Sequence, residues 1–184
     1  MTDFDYQWKN LLGKESLENE EKKFEFNNDR VKEFLKLTGL KSLYSNNLAI
    51  GKYRFELDVK SFYKKDSFIK NKICLDAGSG PGRWTYAMQK LGAKRVDSFD
   101  MSEEAIKRCK EINPDAYVFD IWNLKPNPIY DFVLSWGVLH HTKNPYEAFC
   151  IISKSLKKNG YILIGLYNKF GRIRTLIRKY LYKI

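Results

Sequence analysis

The chain has 184 residues, of which 43% are hydrophobic and 15% aromatic, so its length and composition suit one folded domain with a substantial core. Its net charge is +11, but six of the basic residues lie in 169–184, where there is no acid. Because the excess is local, it weakens a general nucleic-acid-binding interpretation. No apolar run approaches membrane-spanning length, and the acidic opening lacks the apolar segment of a signal peptide, so we expect a cytoplasmic protein.

The first 71 residues read as a lead-in to the main domain. A helix near residues 28–38, with Asn28 or Asp29 as its cap and Gly39 at its end, carries an apolar side that should pack on the domain or cover its ligand. Residues 53–60 alternate strictly between apolar and polar, which predicts an extra edge strand or a hairpin. Two aromatic residues near the start, Tyr6 and Trp8, offer faces for a cationic ligand or for core packing.

A glycine-rich stretch, LDAGSGPGRWT, begins the main domain, which we place at 72–167. The apolar run from Ile73 ends in Asp76, three glycines follow at alternate positions, and a helical pattern starts at once, which predicts strand, tight loop and helix. Such glycines let the backbone approach a ligand, and the helix offers free N–H groups to an anion. A dinucleotide fingerprint would need its third glycine at Arg83, so the spacing disfavours a dehydrogenase.

Strands and helices then alternate along the chain. We predict strands at 73–76, 95–100, 116–119, 130–136 and 161–166, and helices at 84–91, 102–112 and 145–156, with Gly160 after the last helix. Short connections between such elements imply a mostly parallel, doubly wound sheet with right-handed crossovers. The three cysteines, Cys74, Cys109 and Cys150, lack metal-type spacing and are interpreted as reduced core thiols, so no metal site is expected.

Polar residues stand at four predicted strand ends. Asp76 ends the first strand, Asp100 the second, Asp120 follows the third, and Ser135 with Trp136 closes the fourth. Ligands of such sheets bind at the carboxyl ends of the strands near the first one. The acid at position 100 is able to accept two hydrogen bonds from ribose hydroxyls.

Two stretches resemble a known family. Asp76-x-Gly78-x-Gly80-x-Gly82 resembles the first motif of class I S-adenosylmethionine-dependent methyltransferases. The run YDFVLSWGVLHHTKNP, residues 130–145, resembles the fourth motif and following loop of the small-molecule methyltransferases. The signatures of enzymes that methylate planar amino groups or cytosine C5 are missing. The resemblance covers about 73–167 and implies an α/β, Rossmann-like fold.

The resemblance also implies a set of cofactor-binding residues. The cradle would be formed by Asp76, Gly78, Ser79, Gly80 and Gly82. Asp100 would bind the ribose, Met101 and Ile121 would contact the adenine, and Asp120 would accept a hydrogen bond from the adenine amine. Arg83 would pair with the methionine carboxylate, and Ser135 and Trp136 would complete the site. Each of these roles has a structural alternative. The glycine stretch would be a turn without a ligand, Asp100 a residue ahead of a helix cap, and Asp120 an ordinary loop residue. Arg83 would be a solvated arginine, and Trp136, like Trp84, a core residue.

The only histidines, His140 and His141, are adjacent and follow the fourth strand. A neutral imidazole there would be able to accept a substrate proton during methyl transfer, and we favour His141 for this role. A structural or gating role for the pair is the alternative.

Residues 168–184 read as a basic amphipathic helix. It would serve as a packed helix, a cap over the substrate, a surface for an anionic substrate or a peripheral membrane contact. The usual class I domain continues into two further strands, so this sequence predicts a fold without the last two and a shortened or naturally truncated domain. An open fifth strand would favour a homodimer.

Together these features predict S-adenosylmethionine-dependent methyl transfer to an O, N or C nucleophile of a small molecule. Nucleic acid is not the expected acceptor. Two alternatives are a non-catalytic module that binds S-adenosylmethionine, and an RNA methyltransferase or RNA-binding protein that uses the basic end of the chain.

Overall fold

The computed structural model describes residues 26–37 and 69–166. Tyr6, Trp8, the strand predicted at 53–60 and the basic helix predicted at 168–184 lie outside these residues. Within the described ranges, no helix is long and apolar enough to cross a membrane.

Five strands and four α-helices make up the described part. They are α1 (Asn28–Leu37), β1 (Ile73–Ala77), α2 (Arg83–Lys90), β2 (Arg95–Asp100), α3 (Glu103–Cys109), β3 (Tyr117–Val118), β4 (Tyr130–Trp136), α4 (Pro145–Ser153) and β5 (Leu156–Gly165). Two short 3₁₀ helices, Ile121–Asn123 and Leu139–His141, follow β3 and β4.

The strands form one sheet in the order β3-β2-β1-β4-β5, and every pairing among them is parallel. The order reverses at β1, which lies between β2 and β4. This is the doubly wound arrangement predicted from the sequence, and it places the crevice for a ligand at the carboxyl end of β1.

Burial explains the composition of the central strands. Four residues of β1, from Cys74 to Ala77, and four of β4, from Phe132 to Ser135, are buried, because helices cover both faces of the sheet. On one face, Phe34 of α1 and Met88 of α2 join a buried cluster with Cys74 of β1 and with Phe132 and Leu134 of β4. The opposite face packs against α4 and both 3₁₀ helices.

Several predicted boundaries were wrong in detail. The helix predicted through residue 156 ends at Ser153, and β5 begins at Leu156 instead of residue 161, so Gly160 lies within β5. The register between β4 and β5 is irregular between Tyr130 and Phe132, and the regular pairing starts at Tyr161, where the strand was predicted to begin. The helix predicted through residue 112 ends at Cys109, and β3 is only two residues long.

The cap of α1 also differs from the prediction. The Oδ1 atom of Asn27 accepts a hydrogen bond from the backbone N–H of Asp29 at 3.0 Å, so the side chain one residue before the predicted ones caps this helix.

Candidate functional site

The glycine loop between β1 and α2 is held against the ends of the neighbouring strands. Gly78, Gly80 and Gly82 all have positive φ, which residues with a side chain rarely adopt. The backbone N–H groups of Gly78 and Ser79 both donate to the carbonyl of Phe99 in β2, at 2.9 Å. A Cβ atom on Gly78 would lie 2.4 Å from Cγ2 of Val138, so only glycine allows β1 to pass this close to the segment after β4.

Asp100 lies directly against this loop. One carboxylate oxygen accepts from the backbone N–H of Gly80 at 2.8 Å, and the other accepts from the N–H of Ser102 at 2.9 Å. Both oxygens of Asp100 thus take part in holding the backbone at this edge of the sheet. The next residue, Met101, is 44% exposed at the same edge of the sheet.

Asp76 is fully buried beneath the first turn of α2. Its Oδ2 atom accepts from the Thr85 hydroxyl at 2.7 Å, whereas Oδ1 has no hydrogen-bond partner in the part of the chain that the structure describes. Burial raises the pKa of Asp76 from 3.8 to about 7, while the hydrogen bonds from Thr85 act to lower that pKa and the charge of Asp100 acts to raise it. An acceptor atom that is buried without a donor is costly to the fold.

Asp120 and Ile121 follow β3 at the same edge of the sheet. The carboxylate of Asp120 caps the 3₁₀ helix by accepting from the N–H of Trp122 at 3.0 Å, and Ile121 is buried in the core. The side chain of Asp120 is partly exposed, so its role as a loop cap leaves room for the predicted role toward adenine.

Two of the predicted site residues use their side chains within the fold. The Ser135 hydroxyl is buried and donates to the carbonyl of Ala77 at 3.0 Å, which joins the ends of β4 and β1. Trp136 meets Trp84 edge to face, with ring centroids 6.5 Å apart, and lies so close to Gly165 that a Cβ atom there would be 2.3 Å from the indole. These contacts match the core-packing alternative for both tryptophans.

Arg83 makes a contact that the sequence did not indicate. Its guanidinium pairs with the carboxylate of Glu33 in α1, and Arg30 pairs with the same carboxylate at 2.9 Å. Arg83 also lies over the ring of Trp84, with 4.3 Å between the guanidinium carbon and the ring centroid. Helix α1 is thereby joined to the first residue of α2, next to the glycine loop.

The histidines lie in the 3₁₀ helix that follows β4. Their ring centroids are 4.0 Å apart; His140 is partly buried, whereas His141 is exposed. Of the two rings, that of His141 is therefore the more accessible to solvent. Among the described residues, no group of three His, Cys, Asp or Glu side chains is arranged to hold a metal ion.

Residues 51–183 match the family described as "Methyltransferase domain", which is well over half of the chain. The chain therefore belongs to the methyltransferase domain family. Its cofactor is S-adenosylmethionine, as the resemblance of the glycine motif implied. The observed order of strands agrees with the Rossmann-like fold of class I methyltransferases.

Curated relatives of this domain include two enzymes named tRNA U34 carboxymethyltransferase. The one from Histophilus somni strain 2336 is 28% identical over 117 residues, covering 59% of this chain and 36% of the relative. The one from Shewanella sp. strain ANA-3 is 31% identical over 104 residues, covering 52% of this chain and 32% of the relative. The chain thus spans about a third of the length of these relatives.

Solved structures agree on the fold. A putative S-adenosylmethionine-dependent methyltransferase from Methanococcus maripaludis superposes with a TM-score of 0.56 at 17% identity, covering 97% of this chain and 74% of that one. A protein from Pyrococcus horikoshii superposes with a TM-score of 0.53 at 21% identity, covering 66% of this chain and 59% of that one.

The residues at the strand ends suit S-adenosylmethionine chemically. The cofactor carries ribose hydroxyls, an adenine amine and an ammonium group, all of them donors. The unpartnered oxygen of Asp76 and the carboxylates of Asp100 and Asp120 are all acceptors at one edge of the sheet.

Proposed function

We propose that this domain transfers the methyl group of S-adenosylmethionine to an O, N or C nucleophile of a small molecule. The observation that carries the proposal is the contact between the Asp100 carboxylate and the backbone of Gly80, 20 residues earlier in the chain, at 2.8 Å. This contact joins the acid at the end of β2 to the glycine loop, and a ribose needs both: an acceptor for its hydroxyls and a backbone that it can approach closely.

The methyl donor supplies a methyl group on a sulfonium that is already a good leaving group. The protein therefore has to align donor and acceptor and exclude water. Asp100 would hold the ribose, Asp120 and Ile121 would recognise the adenine, and Met101 would pack against it. Asp76 and the glycine loop would fix the amino-acid end, with Arg83 near the carboxylate.

For Arg83, the carboxylate of the cofactor would compete with a carboxylate of the protein. Its guanidinium is paired with Glu33, which Arg30 also contacts, so two cations share one carboxylate. Because Arg30 also contacts Glu33, that carboxylate would keep a cationic partner if Arg83 turned to the carboxylate of the cofactor.

His141 would act as the general base for acceptors that must lose a proton. Its exposed ring after β4 supports this role, since a base has to reach the acceptor. The partly buried ring of His140, 4.0 Å away, would support the orientation of His141 instead.

A modest charge over the core supports a small-molecule acceptor. Residues 72–167 contain 13 Lys and Arg against 10 Asp and Glu, an excess of only three positive charges, whereas a surface that binds the phosphate backbone is typically strongly basic. The test is an incubation with methyl-labelled S-adenosylmethionine and, in parallel, a cell extract filtered to small molecules and total tRNA. Label in the small-molecule fraction supports the proposal, and label in the tRNA alone contradicts it.

An RNA acceptor is the second candidate function. Two observations favour it: the curated relatives named for tRNA, and the six basic residues in 169–184. An RNA acceptor predicts that RNA binding weakens steeply as the salt concentration rises. The affinity should depend less steeply on salt when Arg172, Arg174 and Arg178 are replaced by Gln. Salt-independent or undetectable RNA binding contradicts this candidate.

A further inference from the structure

A chain of buried polar side chains runs behind Asp76. The Thr85 hydroxyl lies 2.7 Å from Oδ2 of Asp76 and 2.8 Å from the hydroxyl of Ser98, and Nδ2 of Asn113 donates to that hydroxyl at 3.1 Å. Thr85 and Ser98 are fully buried, and Asn113 is 7% exposed. Four residues from three different elements and a loop thus form one continuous hydrogen-bonded row within the core.

The position of the row follows from the register of the sheet. Asp76 pairs with Ser98 across the parallel strands β1 and β2, so both side chains point to the same face, toward α2. Thr85 is the third residue of α2 and reaches both of them. Four polar side chains in a core are expensive unless each has a partner, so their presence calls for a physical reason.

Counting protons fixes the direction of the row. Nδ2 of Asn113 donates to the carbonyl of Val96 at 2.9 Å as well as to Ser98, which uses both of its hydrogens and identifies this atom as the nitrogen. Each hydroxyl has one hydrogen, so that of Ser98 is free to go to Thr85, and that of Thr85 goes to Asp76. The row is ordered from Asn113 to Asp76, and it ends by presenting a donor to one carboxylate oxygen.

We propose that Thr85, Ser98 and Asn113 are positioning residues for the cofactor, because they hold Asp76 as an acceptor and leave its Oδ1 atom for a donor group of S-adenosylmethionine. The inference rests on the proposed function of Asp76. Nothing in the described part of the chain donates to Oδ1, although the atom is buried. Because the hydrogen bond to one oxygen fixes the orientation of the carboxylate, the other oxygen has a defined position. A donor group of the ligand needs such a fixed acceptor.

The groups around Asp76 favour a proton on it, and the row opposes them. Burial raises the pKa of Asp76 most, the hydrogen bonds from Thr85 lower it, and the charge of Asp100 raises it further. Cys74 on β1 and Cys109 on α3 are close enough to sense the charge of Asp76, but burial raises the pKa of each thiol to about 12, so both are neutral near pH 7. Removing the Thr85 donor should therefore let Asp76 keep its proton to higher pH, and a protonated carboxyl is a poorer acceptor.

The experiment measures the dissociation constant of S-adenosylmethionine by titration calorimetry from pH 6 to 8.5 for the wild type, Thr85→Val and Thr85→Ser. Affinity should fall as the pH drops through about 7. In Thr85→Val the midpoint should move up by about one pH unit, so the affinity should fall about fivefold at pH 7 and about tenfold at pH 6, the effect of losing a hydrogen bond to a buried charge. Thr85→Ser keeps the donor and should stay within about twofold of the wild type.

Two further variants keep the inference testable if Thr85→Val does not fold. Ser98→Ala should move the midpoint in the same direction by a smaller amount. Ser155→Ala removes another buried hydroxyl, one without a hydrogen-bond partner among the described residues, and should leave the midpoint unchanged. Identical pH profiles for the wild type, Thr85→Val and Ser98→Ala would overturn the inference. A folded wild type that binds no S-adenosylmethionine at any pH would reject the proposed function itself.

Discussion

Replacing Asp76 by asparagine should change how the stability of the ligand-free protein depends on pH. Burial raises the pKa of this carboxyl from 3.8 to about 7, so between these values the folded protein holds a proton that the unfolded chain has released. The contribution of Asp76 to the free energy of unfolding is therefore highest at low pH, and it falls as the pH rises toward and through 7. A difference of about three pKa units corresponds to about 4 kcal/mol in all, of which about 3 kcal/mol is lost between pH 5 and 8.

Urea unfolding at pH 5, 6, 7 and 8 measures this effect as a difference between the wild type and Asp76→Asn. The amide carries no titrating proton, so the variant should gain about 3 kcal/mol relative to the wild type as the pH rises from 5 to 8. Asp29 and Asp131 have lowered pKa values, so both are ionised throughout this range and their contributions cancel in the comparison. Parallel stability curves for the two proteins would refute the assignment of a buried, weakly compensated carboxyl at position 76.

Three further predictions concern the loop, the lead-in helix and the proposed base. Gly78→Ala should destabilise the fold by about 2 kcal/mol more than Gly92→Ala in urea unfolding, although both glycines have positive φ. The added Cβ atom would lie 2.4 Å from Val138 at position 78, whereas at position 92 its nearest neighbour, Lys70, would be 3.4 Å away. Phe34→Ala should cost about 3 to 5 kcal/mol in the same assay, because this ring is 1% exposed between α2 and β4, and a loss below 1 kcal/mol would show that α1 is not docked. His141→Gln should leave the affinity for S-adenosylmethionine unchanged and slow methyl transfer about 100-fold, and equal turnover would remove its role as base.

The sheet was predictable because its signals are local. Glycines at 78, 80 and 82 permit the positive φ that this loop adopts, and the apolar runs of β1 and β4 reflect burial on both faces. The strand-end position of Asp100 was therefore also predictable from the chain order alone. The end of α4 was not, since β5 continues through an irregular part of its pairing with β4 into a polar segment that resembles a loop.

Contacts between distant residues were beyond the reach of sequence patterns. Glu33 and Arg83 are 50 residues apart, and nothing in either segment indicates that they form an ion pair. Thr85 and Ser98 read as unremarkable polar residues until the register of β1 and β2 brings them to Asp76. The only signal available in the sequence was the position of these polar residues. The period of the helix or strand assigns them to the core.

The fixed contact between Asp100 and the glycine loop is tested most directly by calorimetric titration of S-adenosylmethionine and its demethylated product. The wild type should bind both, and Asp100→Ala should lose at least about tenfold in affinity, since the ribose would lose its acceptor and the loop its anchor. Asp115→Ala, which removes an exposed carboxylate elsewhere, is the matched control and should bind as the wild type does. A folded wild type that binds neither compound, or an Asp100→Ala variant that binds as tightly as the control, would contradict the assignment of the cofactor site.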